Sequence, residues 1–190
     1  MSRGLTRGND NVIASGEGSV AIGGDVNLLL VPQRRLTSSL ALKLLKQFLA
    51  LDTLEDADYP LGELPAPLPD KLDYNDAPTY KAIFDSHQGD YLTLEKAMRD
   101  LPASERVIGK ARDLYLRTVG ALIRSGEGRS GDEVLDRMHS ALFDDMMKEV
   151  DSDDSIEAYQ EQIDGFCIAL LEICVMRCKV LENPNSIGEN

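Results

Sequence analysis

The sequence predicts a mainly α fold: an antiparallel array of about five to six helices with a short Gly-rich β-strand repeat at its N-terminal end. Three observations carry this. After Pro32, apolar residues recur at three- and four-residue spacing through most of the chain, the pattern of helices with one buried face. Before it, Gly8, Gly16 and Gly24 recur every eight residues, each followed by a turn-prone or acidic residue, Asn9, Glu17 or Asp25. Hydrophobic residues make up 43% of the 190, with no Trp and only 5% aromatics, so the expected core is aliphatic.

In residues 1–31 the glycines separate the β-branched runs Asn11-Val12-Ile13-Ala14 and Ser19-Val20-Ala21-Ile22, and a third apolar run fills 26–31. Short alternating runs bounded by Gly, Asn and Asp are strand-and-turn signals. Three strands this small bury little alone, and their open edges call for a partner. Val12, Ile13, Val20, Ile22, Val26, Leu28 and Leu30 are the candidate assembly residues. The strands could close as a symmetric oligomer or extend another protein's sheet. A flexible Gly-rich tail is the plain alternative.

Residues 32–51 hold the first helix, with Thr37, Ser38 and Ser39 as cap candidates and Leu40, Leu44, Leu45, Phe48 and Leu51 on one face. Residues 52–70 read as a linker: Pro60, Pro65, Pro67 and Pro69 are four of the eight prolines, and six acids stand there with no Lys or Arg. Its leucines and Tyr59 favour a strap lying over the helices.

Residues 71–183 form the predicted helical interaction domain, followed by a tail at 184–190. Asn75 or Asp76 is expected to cap a helix carrying Pro78 in its first turn. Gly89 should break or kink it. Ser104 should cap a helix running to about Ser125, followed by a loop at Gly126, Gly128 and Gly131. Asp132 opens a helix to about Val150. The acidic turn at 151–154 leads to a long last helix ending before Asn183-Pro184. Short connections favour antiparallel neighbours.

Candidate chemistry is sparse. The helix from Ser104 carries Arg106, Lys110, Arg117 and Arg124 on one stripe opposite an apolar face that includes Val107, Ala111, Thr118 and Leu122. That stripe suits an acidic partner or a nucleic-acid backbone; the plainer reading, which the acidic chain favours, is an ordinary solvated face or ion pairs with acidic neighbouring helices. The net charge of −13 argues against non-specific nucleic-acid binding by the whole surface. Cys167, Cys174 and Cys178 share a helix face, but the outer pair lie ~16 Å apart along the axis, too far for one metal ion. They read as buried apolar residues. A calcium loop starting at Asp151 fails, because Ile156 occupies the sharp-turn position and Gln162 the twelfth. No acidic residue stands two before any Lys, and neither G-x-x-x-x-G-K-[ST] nor G-x-S-x-G occurs. The chain is therefore expected to be non-enzymatic, with no cofactor or metal. Three Cys without a disulfide pattern, no basic-apolar leader and no apolar run near the ~18–20 residues of a membrane span point to a cytoplasmic protein.

Lys71-Leu72-Asp73-Tyr74-Asn75, then Tyr80-Lys81-Ala82-Ile83, Tyr91 and Ala111-Arg112-Asp113-Leu114-Tyr115, form a further pattern. It resembles the C-terminal domain of ABC three-component systems, prokaryotic conflict systems that include Lamassu-type antiviral defence. The resemblance covers about residues 69–182. The chain departs from the family pattern in the early Pro78 and the Gly-rich loop at 126–131. The resemblance implies a helical interaction domain working with an ABC or SMC-like ATPase subunit and an effector subunit, and it carries over no catalytic residues. The expected role is an accessory subunit of a defence complex that meets nucleic acid only through that complex. The alternative is a stand-alone acidic regulatory or antitoxin-like binding protein.

Overall fold

The computed structural model describes residues 35–50, 66–126, 129–153, 156, 158–177 and 180–185. The Gly-octad strands with their seven assembly residues, most of the acidic linker, Cys178 and most of the 184–190 tail lie outside the described residues. Among those described, the chain is mainly helical, with seven helices: α1 Ser38–Ala50, α2 Leu68–Tyr74, α3 Pro78–Ser86, α4 Gln88–Arg99, α5 Ser104–Ser125, α6 Gly131–Ser152 and α7 Gln160–Met176. None is long and apolar enough to cross a membrane.

α7 organises the others. From Ile163 to Val175 every residue except Asp164 is buried. A helix that is apolar all round must be enclosed, and α2, α3, α4, α5 and α6 all pack against it. α1 lies on α4, α5 and α6 and buries Leu40, Ala41, Leu44, Leu45 and Phe48. The core is largely aliphatic, as composition predicts, with Phe48, Phe84 and Phe166 buried in it and Tyr80 edge-on to Phe84 at 5.6 Å.

The structure yields more helices than the predicted five to six, because two boundaries fall differently. α2 begins at Leu68, inside the stretch read as linker. Pro67 and Pro69 flank its first residue, where no intrahelical N–H is needed, so neither breaks it. The expected break at Gly89 lies instead at His87, which separates α3 from α4 and leaves Gly89 in the first turn of α4.

The Thr37 hydroxyl, one of the three expected cap candidates, accepts from the Leu40 N–H and caps α1. The caps of α3, α5 and α6 differ from expectation. α3 starts after Ala77 without a local cap; the Asp132 carboxylate, at the start of α6, accepts from the Thr79 and Tyr80 N–H groups at 3.0 Å each. α6 itself is capped by Ser130, whose hydroxyl accepts from Glu133 N–H. α5 starts after Ala103 without a side-chain cap, so Ser104 sits within the helix.

Lys71 and Asn75 tie the ends of the fold together. Lys71 is fully buried, and its ammonium donates to the Val175 carbonyl at 2.8 Å, near the C-terminal end of α7. There the unpaired carbonyls and the dipole both favour a cation. Asn75 Nδ2 donates to the carbonyls of Lys71 and Glu182, and Asn75 Oδ1 accepts from the Glu182 N–H. This pairing, together with burial of Val180 and Leu181, explains why α7 ends at Met176 rather than running on to Asn183. The Gly131 N–H donates to the Asn75 carbonyl. A side chain there would place its Cβ 2.7 Å from that oxygen and 2.9 Å from Ala77 Cβ, so only glycine fits without movement.

Candidate functional site

α5 forms because its apolar residues recur over 22 residues without Pro, and it ends at Gly126, which adopts φ 71° at the left-handed C-terminal position. Val107, Ile108, Ala111, Thr118 and Leu122 are its buried face. Leu114, Tyr115 and Val119 are partly buried beside them.

Of the predicted stripe, Arg106, Arg117 and Arg124 are exposed. Lys110 turns inward. Its ammonium sits 4.8 Å from the centre of the Phe48 ring and donates to the Phe48 carbonyl, one of the last carbonyls of α1. Lys110 thus closes the α1 terminus, the same service Lys71 performs for α7. The spacing could not show this, because the acceptor belongs to another helix.

Leu116 and Ile123 add a feature that the reading of the stripe passed over. They are 53% and 57% exposed. Seven residues apart, they stand almost directly above one another on the outer face. Gly109 and Gly120 share that strip, and the Arg124 guanidinium lies over Gly120. The outer face of α5 is therefore an apolar seam with arginines along one flank.

A cavity of about 480 Å³ adjoins this helix, bounded by Tyr115 and Val119 of α5, Tyr74, Arg129, Leu181 and Glu182. α6 starts at its wall, but Gly131, Asp132 and Glu133 give their N–H groups to Asn75 O, Asp76 O and Ser130 Oγ. That helix end therefore has no donors left in its first three residues for an anion.

Cys167 and Cys174 are fully buried thiols, and burial raises the pKa of both. Among the described residues, no group of three or more His, Cys, Asp or Glu is placed to hold a metal ion. His87 Nδ1 lies 2.9 Å from the Ile83 carbonyl, and His139 Nε2 lies 2.9 Å from Asp164 Oδ1.

Glu172 is a residue that sequence reasoning missed. It is 2% exposed in the last two turns of α7. Oε1 accepts from Gln88 Nε2 at 3.0 Å, while Oε2 has no hydrogen-bond partner among the described residues. Burial foremost, with nearby Asp85 adding to it, raises its pKa to about 7, against the lowering effects of the Gln88 hydrogen bond and His87.

The described residues thus define a helical protein with one buried helix at its centre and a basic, partly apolar outer face on α5. The chain matches no protein-family model, no curated protein and no solved structure.

Proposed function

We propose that this chain is a non-enzymatic accessory subunit of a prokaryotic antiviral defence complex of the ABC three-component type. Its helical body binds an ABC or SMC-like ATPase, an effector subunit, or both, and residues 1–31 self-associate or dock. It acts in the cytoplasm and meets nucleic acid only through the complex. The observation that carries the reading is the outer face of α5, where exposed Arg106, Arg117 and Arg124 accompany exposed Leu116 and Ile123. Large apolar residues beside arginines are the usual make-up of an interface core and its rim. The segment that carries the resemblance is built into the helical body: Lys71 joins α2 to α7, and Asn75 joins α2 to α6 and to the chain beyond α7.

Co-expression with the neighbouring genes of its operon, followed by affinity purification, tests the proposal. An ATPase should co-purify with the chain. A monodisperse monomer with no associated ATPase would overturn it.

The second reading, a stand-alone acidic regulator that neutralises a basic partner, is favoured by exposed Asp136, Asp144, Asp145 and Asp151 on α6. It gains if neutralising the 52–70 acids abolishes function while Arg106→Glu with Arg117→Glu leaves it intact.

A further inference from the structure

The cavity of about 480 Å³ beside α5 is walled by four separate stretches of chain: the end of α2, the middle of α5, the start of α6 and the chain beyond α7. Its volume falls within the roughly 300–1,000 Å³ typical of small-molecule pockets. The frame of the wall is fixed by Asn75. That residue holds Glu182 by both its N–H and its carbonyl, and accepts the Gly131 N–H on its own carbonyl. Asp76 and Leu181, at φ 54° and 64°, are the non-glycine residues with positive φ among those described, and both stand in this wall. Asp tolerates that region, whereas a leucine rarely enters it, and such backbone gathers at ligand sites.

Residues on this frame carry uncommitted groups. Among the described residues, the hydroxyls of Tyr74 and Tyr115, the carboxylates of Asp76 and Glu182 and the guanidinium of Arg129 have no hydrogen-bond or ion-pair partner. Two of these charges act on Tyr115: burial first, then Glu182, raises its pKa, while Arg129 and Arg112 oppose the rise. The wall therefore presents two anions, one cation and two aromatic rings. A phosphate finds no free N–H in the first three residues of α6. A metal ion finds no ligand set among the described residues. A molecule with two cations and one anion matches the wall group for group. A basic α-amino acid at neutral pH is such a molecule, and the flat guanidinium of arginine also stacks on tyrosine rings. The net charge of −13 attracts a ligand that is cationic overall.

We infer that this cavity is a binding site for a free basic amino acid, with arginine the best match. Arg129 takes its carboxylate, Asp76 and Glu182 take its ammonium and guanidinium, and Tyr74 and Tyr115 cover its flat surface. The site is separate from the outer face of α5 and goes beyond the interaction-subunit reading.

The probe is L-arginine, titrated into the full chain at low salt and followed by isothermal titration calorimetry. It should bind with a Kd on the order of 0.1 mM. Three analogues each remove one ligand charge. Agmatine lacks the carboxylate, citrulline carries a neutral urea in place of the guanidinium, and N-acetylarginine lacks the ammonium. Each should bind about tenfold more weakly. Arg129→Ala should weaken arginine to the level of agmatine and leave agmatine unchanged, an equalisation that a merely structural role would not produce. Glu182→Gln and Tyr74→Ala should each weaken arginine about tenfold. Leu92→Ser, exposed on α4 outside the cavity wall, should leave binding unchanged. Arg129, Glu182 and Tyr74 are exposed, and circular dichroism of each variant checks that the helices persist. The analogue series needs no variant at all. The inference is overturned by no saturable binding of arginine, by equal binding of arginine and citrulline, or by equal binding of arginine and agmatine to the parent chain. It is also overturned if Arg129→Ala weakens arginine and agmatine by the same factor, or if Leu92→Ser causes the same loss as the wall variants.

Discussion

Glu172 is a carboxyl group enclosed by the most buried helix of the fold, and its fate depends on pH. Its folded-state pKa of about 7 lies above the ordinary glutamate value of 4.5, because burial penalises the charged form. Stability tied to the neutral carboxyl is thus fully present below about pH 4.5 and is lost as pH rises through about 7. Allowing for solvent screening, the loss is on the order of 1–2 kcal/mol. Asp85 and His87 face the group from α3 and the α3–α4 junction, and Gln88 faces it from α4. Glu172→Gln keeps the shape and a partner for Gln88 but cannot ionise. It should match the parent at pH 5 and exceed it in urea unfolding at pH 8. An identical pH slope in both proteins would show that Glu172 does not ionise in this window. In sequence, Glu172 looks like any charge on a helix; only the enclosure of α7 on every side reveals its position, and that is a tertiary property.

At the scale of elements, tertiary partners decide what local sequence does not. α3 has no cap of its own, and Asp132 caps it from α6. Asp132→Ala should therefore cost about 1 kcal/mol, with Asp132→Asn retaining part of the effect, since an amide oxygen still accepts. Urea midpoints of the three proteins check this; an unchanged Ala variant would place the α3 start under other control. α5 was legible over its whole length, because 22 uninterrupted residues repeat one apolar face and an intrinsic pattern of that length needs no partner to be read. The end of α7 was not legible, because Asn75, more than a hundred residues earlier, draws Glu182 out of a helical path. Nor was the start of α2, where two prolines signal a break by spacing yet are harmless in a first turn. The candidate site divides in the same way. The exposed Arg106, Arg117 and Arg124 follow from periodicity, whereas Lys110 leaves the stripe for a carbonyl on α1. Leu116 and Ile123 were visible by their angle, as apolar residues on the side opposite the buried face.

For the whole molecule, the division between the Gly-octad segment and the helical body sets the last prediction. Among the described residues, the buried cluster runs from Leu36 to Leu181 and surrounds α7 with five other helices. A core of this extent has the make-up of a domain that holds itself together. Residues 1–31 have the opposite character: their apolar runs are four to six residues long, separated by glycines, and too short to enclose one another. If those strands gain stability from the edges of other chains, removing them should change assembly and not folding. The chain lacking residues 1–31 should keep its far-UV circular dichroism per helical residue and its thermal midpoint within a few degrees. Its mass by light scattering should fall from an oligomer to a smaller species. Equal association states for both proteins would refute the assembly role. A lower thermal midpoint with loss of helicity would instead make the segment a part of the core.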